Sequence, residues 1–327
     1  MRLGRATLRA AALLATLLAL ALSACGASAA LPSGEPCGAA APEVLAAAAG
    51  LVAKRIYVGE LTGSETRSDQ RQVERDAPLL KAIAGGNRGA INEAVHRLVY
   101  SHTHIVRLRI TRGASVLSDI GGPYIIAPVA GPLRLHGRTI AHYVLSVQDD
   151  LGYVKLVTRF LGVPLVMRGG AHGVPVEGLT PGPASIPDLG PVTYRGVSYE
   201  AISFAARSFP GGPLRISLLL PLGGSLTSST CAQIRSAELA RAALLISRRF
   251  QLSPASFPVY VKLVRTLTDG LLYIRAGVRE LAGSTRPGPS QLPSTGPVTF
   301  AGKGYEVSSF SAPSSVGQVR VYVLTRS

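Results

Sequence analysis

The hydrophobic pattern of the central region predicts two helices followed by strands. Apolar residues recur at helical spacing over about residues 73–84 and 89–101. In the next run, "HIVRLRI", branched apolar residues alternate with Arg107 and Arg109, and this period of two predicts a strand with both arginines on one face. A hairpin turn is predicted at "TRGAS", with further strands at "SVLSDIGG" and "RTIAHYVLSVQD".

The long strand "RTIAHYVLSVQD" ends at two acidic residues. We interpret Asp149, Asp150 and Gly152 as a hairpin turn into another strand, "YVKLVTRF". Adjacent strand residues point to opposite faces, so the two carboxylates do not act on one substrate atom from a regular strand. The pair therefore predicts a turn and not a general acid with its base.

One stretch of alternating residues occurs twice. The sequence "GPVTYRGVSYEAISF" at 190–204 returns as "GPVTFAGKGYEVSSF" at 296–310, and each copy predicts a small antiparallel sheet. An Ala- and Leu-rich helix precedes each sheet and follows a cysteine, Cys37 in the first copy and Cys231 in the second. The sequence therefore predicts two helix-plus-sheet modules. Module A comprises residues 37–60 and 166–221, and module B comprises residues 222–327.

Module A contains a segment that module B lacks. The sequence "YVKLV" begins at Tyr153 and again at Tyr260, which lie 116 residues after Cys37 and 29 residues after Cys231. The first copy therefore holds about 87 additional residues, roughly 61–150.

The residues that the two copies share are mostly glycine, proline, tyrosine and phenylalanine, which suit turns and packing. Glu200 and Glu306 are the only shared acid of the repeated stretch. A ligand pocket is therefore predicted in the inserted segment and not in the repeated modules.

The first 24 residues predict a lipoprotein signal peptide. Three arginines precede an uncharged run of 13 residues, which is too short to span a bilayer core of about 30 Å. The run closes with "LSAC", which resembles the lipobox of bacterial lipoproteins. That resemblance implies that Cys25 carries the acyl chains, that residues 25–36 form a linker, and that the protein lies on the extracytoplasmic side of the cell membrane. The alternative is an ordinary signal peptide with a chance cysteine after the cleavage point.

The charge of the chain is strongly basic. Its 327 residues carry a formal charge of +16 and are 47% hydrophobic. In a cytoplasmic protein such a surplus points to nucleic acid, which an extracytoplasmic address excludes as a default partner. The basic residues are scattered and form no basic run, which is typical of a solvated surface. Anionic lipid headgroups or wall polymers are the predicted partners of this positive charge.

Two cysteines remain once Cys25 is assigned to lipid. Disulfides persist outside the cytoplasm, and Cys37 and Cys231 occupy equivalent positions before equivalent helices. A structural disulfide is predicted, with two free thiols as the alternative. Neither cysteine has the spacing of a zinc site.

Two patterns of the inserted segment, "DIGG" at Asp119 after the second strand and "YVLSVQDDLGY" near its end, resemble the Cache sensor domain, an extracytoplasmic relative of the PAS fold. The resemblance covers roughly residues 66–165. It implies an α+β fold in which a PAS/Cache-like antiparallel sheet with N-terminal helices, residues 61–165, is inserted in the first of two repeated modules. It also implies a pocket on one side of a five-stranded sheet for a small metabolite, often a carboxylate or an amino acid.

The same resemblance implies that Tyr124, His142 and Ser146 line the pocket, with ordinary packing as the alternative. Arg107 and Arg109 are candidates for a carboxylate clamp, because a guanidinium group presents a fork that matches two oxygens. Solvated arginines on an edge strand are the alternative. These five residues form the predicted ligand-binding site for an anionic metabolite.

No motif of the sequence predicts catalysis, a cofactor or a metal. His102 and His104 in "SHTH" share a strand face, but no acid or cysteine lies close in sequence to complete a ligand set, and capping of the strand or a ligand contact by His104 is favoured. The glycines near Gly169 open no helix and form no phosphate cradle. Gly-x-Ser-x-Gly is absent from the sequence.

These features predict a lipid-anchored extracytoplasmic sensor or small-ligand-binding protein without catalytic activity. Members of the Cache family usually signal through a transmembrane helix to a transmitter, and neither segment is recognised here. The alternative is a structural or interaction lipoprotein of the envelope that docks a partner protein and binds no small ligand.

Overall fold

The computed structural model describes residues 34–101, 104–169, 174–175, 183–222 and 228–327, and its main compact unit runs from Pro36 to Ser327. Its helices are α1 (Ala41–Thr62), α2 (Ser64–Arg75), α3 (Ala77–Ala84), α4 (Arg88–Tyr100), α5 (Asp150–Leu161), α6 (Cys231–Ser247) and α7 (Phe257–Thr268). Its strands are β1 (Arg107–Arg112), β2 (Ser115–Gly121), β3 (Ile125–Ile126), β4 (Val129–Leu135), β5 (Arg138–Ser146), β6 (Gln148–Asp149), β7 (Leu165–Gly169), β8 (Val174–Pro175), β9 (Leu189–Tyr194), β10 (Val197–Phe209), β11 (Gly212–Pro221), β12 (Leu271–Ala276), β13 (Arg279–Gly283), β14 (Thr295–Phe300), β15 (Lys303–Ser314) and β16 (Gly317–Arg326).

The strands form three antiparallel sheets in the described part of the chain. Sheet I, in the inserted segment, has the order β2–β1–β5–β4. Sheet II has the order β6–β3–β10–β11–β7–β8, with β9 also paired to β10, and sheet III has the order β13–β12–β16–β15–β14. The predicted α+β class is confirmed.

Sheets II and III repeat one another strand for strand. The path β8–β7–β11–β10–β9 of sheet II has the same connectivity as the five strands of sheet III. The register also repeats, because Pro191 lies opposite Glu200 and Pro297 lies opposite Glu306. The duplication seen in the sequence is therefore a duplication of topology.

Four helices lie between sheet II and sheet III and share one hydrophobic core with both. Helix α1 packs on β10, helix α6 packs on β15 and β16, and the two long helices pack on each other. Gly50 of α1 lies where a Cβ atom would come within 2.8 Å of the Ile202 side chain, so this close approach of helix and sheet favours glycine.

The repeated sequence "YVKLV" lies in a helix in both modules. The hydroxyls of Tyr153 and Tyr260 are buried and donate to the backbone oxygens of Ala53 and Ala243, each at 2.8 Å. Burial raises the pKa of both tyrosines, which therefore stay neutral. Each short helix is thus fixed to the long helix of its own module by the same contact.

The hairpin turn and strand predicted from Asp149 onward are wrong. Asp149 is the N-cap of α5, and its carboxylate accepts the backbone N–H of Gly152. Tyr153, Val157 and Phe160 recur at helical spacing and are buried in the main core. Helix α5 packs on α1 and α6, and the structure places it with module A.

The inserted domain, α2 to α4 with sheet I, has a core of its own. The two predicted helices are present as α3 and α4. Leu108 and Ile110 of β1 are buried on the face of sheet I that belongs to this core. Sheet I has four strands among the described residues and not the implied five, because β3 pairs with β6 and β10 in sheet II.

The predicted disulfide between Cys37 and Cys231 is confirmed, with Cα atoms 4.7 Å apart. It joins the chain just before α1 to the first residue of α6. The predicted lipidation site Cys25 and its signal peptide lie outside the described residues. Within the part of the chain that the structure describes, no helix has both the length and the apolar character needed to cross a membrane.

Candidate functional site

The two arginines of the predicted clamp share one face of sheet I, as their alternation predicts. Both hold the same carboxylate of their own chain. Arg107 donates from Nε and Nη2 to the two oxygens of Asp119, each at 2.8 Å, and Arg109 donates from Nε to Asp119 Oδ2 at 2.8 Å. The guanidinium carbons lie 5.2 Å and 4.3 Å from the ring centroid of Phe209 in β10.

The electrostatics of this cluster follow from its geometry. Burial pushes the pKa of Asp119 upward, but the hydrogen bonds and charges of Arg107 and Arg109 outweigh it and hold the pKa below its usual value. Asp119 is therefore ionised at neutral pH and neutralises part of the charge of the two arginines. The cluster joins sheet I to Phe209 of sheet II, and a ligand role for either arginine stays a prediction.

The other three predicted site residues lie in different environments. Ser146 is buried beside Arg107 in the strand pairing and donates to the backbone oxygen of Ile126. Tyr124 is half-buried and packs against the main core, whereas His142 is exposed on β5. The structure brings Ser146 next to Arg107, but the Ser146 hydroxyl is used in its hydrogen bond to the backbone of β3. A common ligand site for these residues stays a prediction.

The histidine pair is described in part. His104 Nδ1 contacts Glu65 Oε1, and both side chains are mostly exposed. His102 lies outside the described residues. Among the residues that are described, no group of three or more histidine, cysteine or acidic side chains comes together as a metal site.

A cleft of about 980 Å³ opens at one end of sheet III. It lies beside α7, where β12 and β15 begin and where β13 and β16 end, and helix α1 of module A reaches it. This volume is at the upper end of the range usual for small-molecule sites.

The charge of the cleft lining is strongly positive, and we name it the basic cleft. Its cationic side chains are Arg55, Arg235, Lys262, Arg265, Arg286 and Arg326. Asp269 is the only acid among its described lining residues. The cations come from α1, α6, α7, the loop after β13 and the end of β16, so they surround the cleft instead of following one element.

Only one of these cations is held by a carboxylate of the residues that the structure describes. Arg55 donates from Nη1 to the backbone oxygen of Thr266 at 2.7 Å, and its Nη2 lies 3.2 Å from Asp269 Oδ2. For the other five, no carboxylate of the described residues lies within ion-pair distance. Five cations of the cleft are therefore available to a ligand.

The remainder of the lining is largely neutral and polar. Hydroxyl groups of Thr268, Ser284, Tyr305 and Thr325 contribute to it, and Tyr305 is the single aromatic residue among the described lining. The apolar side chains of the described lining are Pro258, Val261, Leu271 and Ala282. This lining suits a polar, charged ligand more than an apolar one.

The repeat shows that the fold does not require these arginines. Arg326 pairs with Tyr305 in sheet III, and the residue paired with the equivalent tyrosine of sheet II is Pro221. Arg265 of α7 corresponds to Thr158 of α5 when the two "YVKLV" sequences are aligned. Both positions are arginine only in module B, so these two charges belong to the cleft and not to the shared scaffold, whereas Lys262 has Lys155 as its counterpart in the repeat.

The scattered positions of these arginines along the chain are typical of a solvated surface, which is what the sequence predicts for them. They converge only through the tertiary fold, so no sequence window detects them. The one usable signal was the comparison of the two copies position by position, which separates Arg265 and Arg326 from the shared residues.

No family model matches this chain, and no curated protein matches it. Among solved structures, the ligand-binding domain of the Pseudomonas fluorescens chemoreceptor CtaA overlaps in its complex with L-alanine (9% identity, TM-score 0.30, 53% of this chain and 93% of that chain). Its complex with L-isoleucine overlaps similarly (10%, 0.29, 55% and 92%). The Vibrio cholerae LuxQ periplasmic domain overlaps at 6% identity and a TM-score of 0.15, over 88% of this chain and 97% of that chain. Overlaps at these TM-scores do not establish a family for the chain.

Proposed function

We propose that this chain is a lipid-anchored extracytoplasmic protein that binds a small anionic ligand in the basic cleft, as a sensor or binding protein without catalytic activity. The observation that carries the proposal is the composition of the cleft, whose described lining residues include six cations and a single acid. Scaffold needs do not explain this surplus, because module A builds the same sheet with Thr158 and Pro221 at two of the equivalent positions.

The cleft is suited to recognition of charge. Guanidinium groups present paired donors that match the oxygens of carboxylates and phosphates, and charge-assisted hydrogen bonds are stronger than neutral ones. Positive walls around a concave site also raise the local concentration of an anion and its association rate.

The proposed location, anchored on the extracytoplasmic side of the membrane, rests on the N-terminal signal sequence. The basic residues, the short apolar run and "LSAC" support lipidation at Cys25. The disulfide agrees with an oxidising compartment. Replacement Cys25→Ser is expected to abolish labelling by a radioactive fatty acid and to release the protein into the medium. A mutant that stays in the membrane fraction contradicts the anchor.

A thermal-shift screen of the mature chain tests the binding function. The screen compares small anions with neutral metabolites of similar size. An anion at one hundred times its dissociation constant stabilises the fold by about 2.7 kcal/mol. We expect an anion to raise the Tm of the wild type and not that of the double variant Arg265→Gln and Arg286→Gln.

The matched control carries Arg134→Gln and Arg138→Gln. These two arginines are also exposed and the change in net charge is the same, but they lie in the inserted domain, away from the cleft lining. A shift that is absent for every anion, or that survives in the cleft variant, contradicts the proposal.

A further inference from the structure

We infer that the ligand of the basic cleft is an oligophosphate, a chain of linked phosphate groups, and not an amino acid. The inference rests on the proposed function and specifies its ligand.

The number of cations and their placement favour a ligand with several negative charges. Five side chains with no carboxylate partner among the described residues reach the cleft from four different elements, and Arg55 reaches it from a fifth. A ligand with one negative charge pairs with one or two guanidinium groups and leaves the remaining cations to repel one another. A multiply charged ligand neutralises cations on several sides of the cleft at once.

The positive charge of the cleft disfavours a zwitterion such as an amino acid. An α-amino acid carries an ammonium group, and in a cleft with this much positive charge a carboxylate offsets the repulsion on that group, whereas neutral hydroxyl acceptors do not. Asp269 is the only acid of the described lining, and it already lies 3.2 Å from Arg55. The ammonium group would therefore meet the surplus positive charge of the cleft without a free carboxylate.

The spread of the cations around the cleft favours a phosphate chain over more compact polyanions. A compact tricarboxylate places its charges on neighbouring carbon atoms, whereas linked phosphates repeat the charge along their length. The cations surround a volume of about 980 Å³, and the extended ligand matches this distribution. Five of the six are arginines, whose forked donors also match phosphate oxygens. Tyr305 offers the single aromatic ring of the described lining, so those residues provide no pair of rings to hold a nucleobase between them.

Isothermal titration calorimetry of the mature Cys25→Ser chain tests this inference at constant ionic strength. The probes are tripolyphosphate, citrate and L-alanine. We expect tripolyphosphate to bind about tenfold more tightly than citrate, and L-alanine not to bind. Arg265→Gln with Arg286→Gln is expected to weaken tripolyphosphate binding about a hundredfold, since each lost charge-assisted contact is expected to cost about a factor of ten. The control pair Arg134→Gln with Arg138→Gln is expected to change it less than about twofold.

The outcomes separate this inference from the proposed function. Citrate binding that equals or exceeds tripolyphosphate binding, or L-alanine binding that the cleft variant abolishes, overturns the phosphate class and leaves a ligand-binding cleft. Absence of binding by both anions overturns the phosphate class, and the absence of any response in the wider anion screen overturns the function as well.

The phosphate groups of a lipid surface share this chemistry, and vesicles distinguish that source. The same chain is sedimented with phosphatidylglycerol or phosphatidylcholine vesicles. Sedimentation with phosphatidylglycerol that the cleft variant abolishes and tripolyphosphate displaces supports the phosphate class with a headgroup as its source. Sedimentation that the control variant reduces equally, together with no binding of tripolyphosphate in solution, is surface attraction and overturns the inference.

Discussion

Arg55 Nη2 lies 3.2 Å from Asp269 Oδ2, so a side chain of module A holds the only acid among the described lining of a cleft that belongs mainly to module B. Asp269 is the C-cap of α7 and has a left-handed backbone, with φ of 62°. Asparagine tolerates this conformation well. In the free protein the Asp269 carboxylate pairs with Arg55, and its negative charge repels an anion that enters the cleft.

Replacement Asp269→Asn is expected to tighten anion binding about three- to tenfold, because it removes a like charge and frees Arg55. The free energy of unfolding should change by less than about 1 kcal/mol, since Asp269 is exposed and Arg55 is only half-buried. Calorimetric titration with tripolyphosphate measures the affinity. Asp188→Asn, which breaks an exposed pair with Arg215 elsewhere, is the matched control. Equal effects of the two variants would count against a local role of Asp269.

Replacement Asp119→Asn is expected to lower the free energy of unfolding at pH 7 by about 1–3 kcal/mol, because Arg107 and Arg109 lose their shared charged acceptor. The pKa of Asp119 is lowered in the folded protein, although burial alone raises it. Its contribution is therefore present above the ordinary aspartate pKa of about 3.9 and is lost as the pH falls through the lower folded value. Urea unfolding at pH 7 and at stepwise lower pH measures the difference, which should shrink below about pH 4. A difference independent of pH contradicts this account.

Replacement Glu306→Gln is expected to stabilise the protein at pH 7 by about 1–3 kcal/mol. The Glu306 carboxyl is buried, and its Oε1 has no hydrogen-bond partner among the described residues. Burial raises the pKa of Glu306 in spite of a hydrogen bond from Gln233. A raised folded pKa means that the charged form costs stability above the ordinary value of about 4.3, so the gain should vanish at lower pH. Urea unfolding as a function of pH checks both signs.

The repeat supplies a second case and a control for this prediction. Glu200→Gln should have the same effect, because Glu200 is the equivalent residue of module A and is also buried with a raised pKa. Glu93 is exposed, so Glu93→Gln should leave the stability nearly unchanged. Destabilisation by both buried replacements would show that the carboxylates are held by favourable contacts.

Loss of the disulfide is expected to destabilise the protein strongly. Cys37 and Cys231 are separated by 194 positions, and closing so long a loop stabilises a fold by about 5 kcal/mol in the chain-entropy model. The urea midpoint of the Cys37→Ala and Cys231→Ala double variant should therefore fall well below that of the oxidised wild type. The wild type in reductant serves as the second comparison. Identical midpoints for the oxidised and reduced wild type would refute the predicted stabilisation.

Local patterns predicted the features that depend on neighbouring residues. Alternation placed Arg107 and Arg109 on one face of a strand, and the repeated sequence predicted two equivalent sheets. The run "YVKLVTRF" was misassigned because a short apolar run is compatible with both strand and helix periods. The outcome depends on Asp149 as an N-cap and on the burial of Tyr153 between α5 and α1, and the second of these is a tertiary contact.

The basic cleft could not be predicted in the same way. Arg55 and Arg326 are far apart in sequence and approach one cleft only because α1 packs beside α7 and because sheet III places the end of β16 there. Charge counts predicted a basic protein but not where the charge is concentrated.

The inserted domain leaves module A after Thr62 and the chain returns at α5, which packs directly against α1. Module B joins its two equivalent helices by the short segment 248–256. Module B thus shows that a helix-plus-sheet module of this kind can close with a nine-residue connection, so the architecture of module A does not itself require the inserted domain.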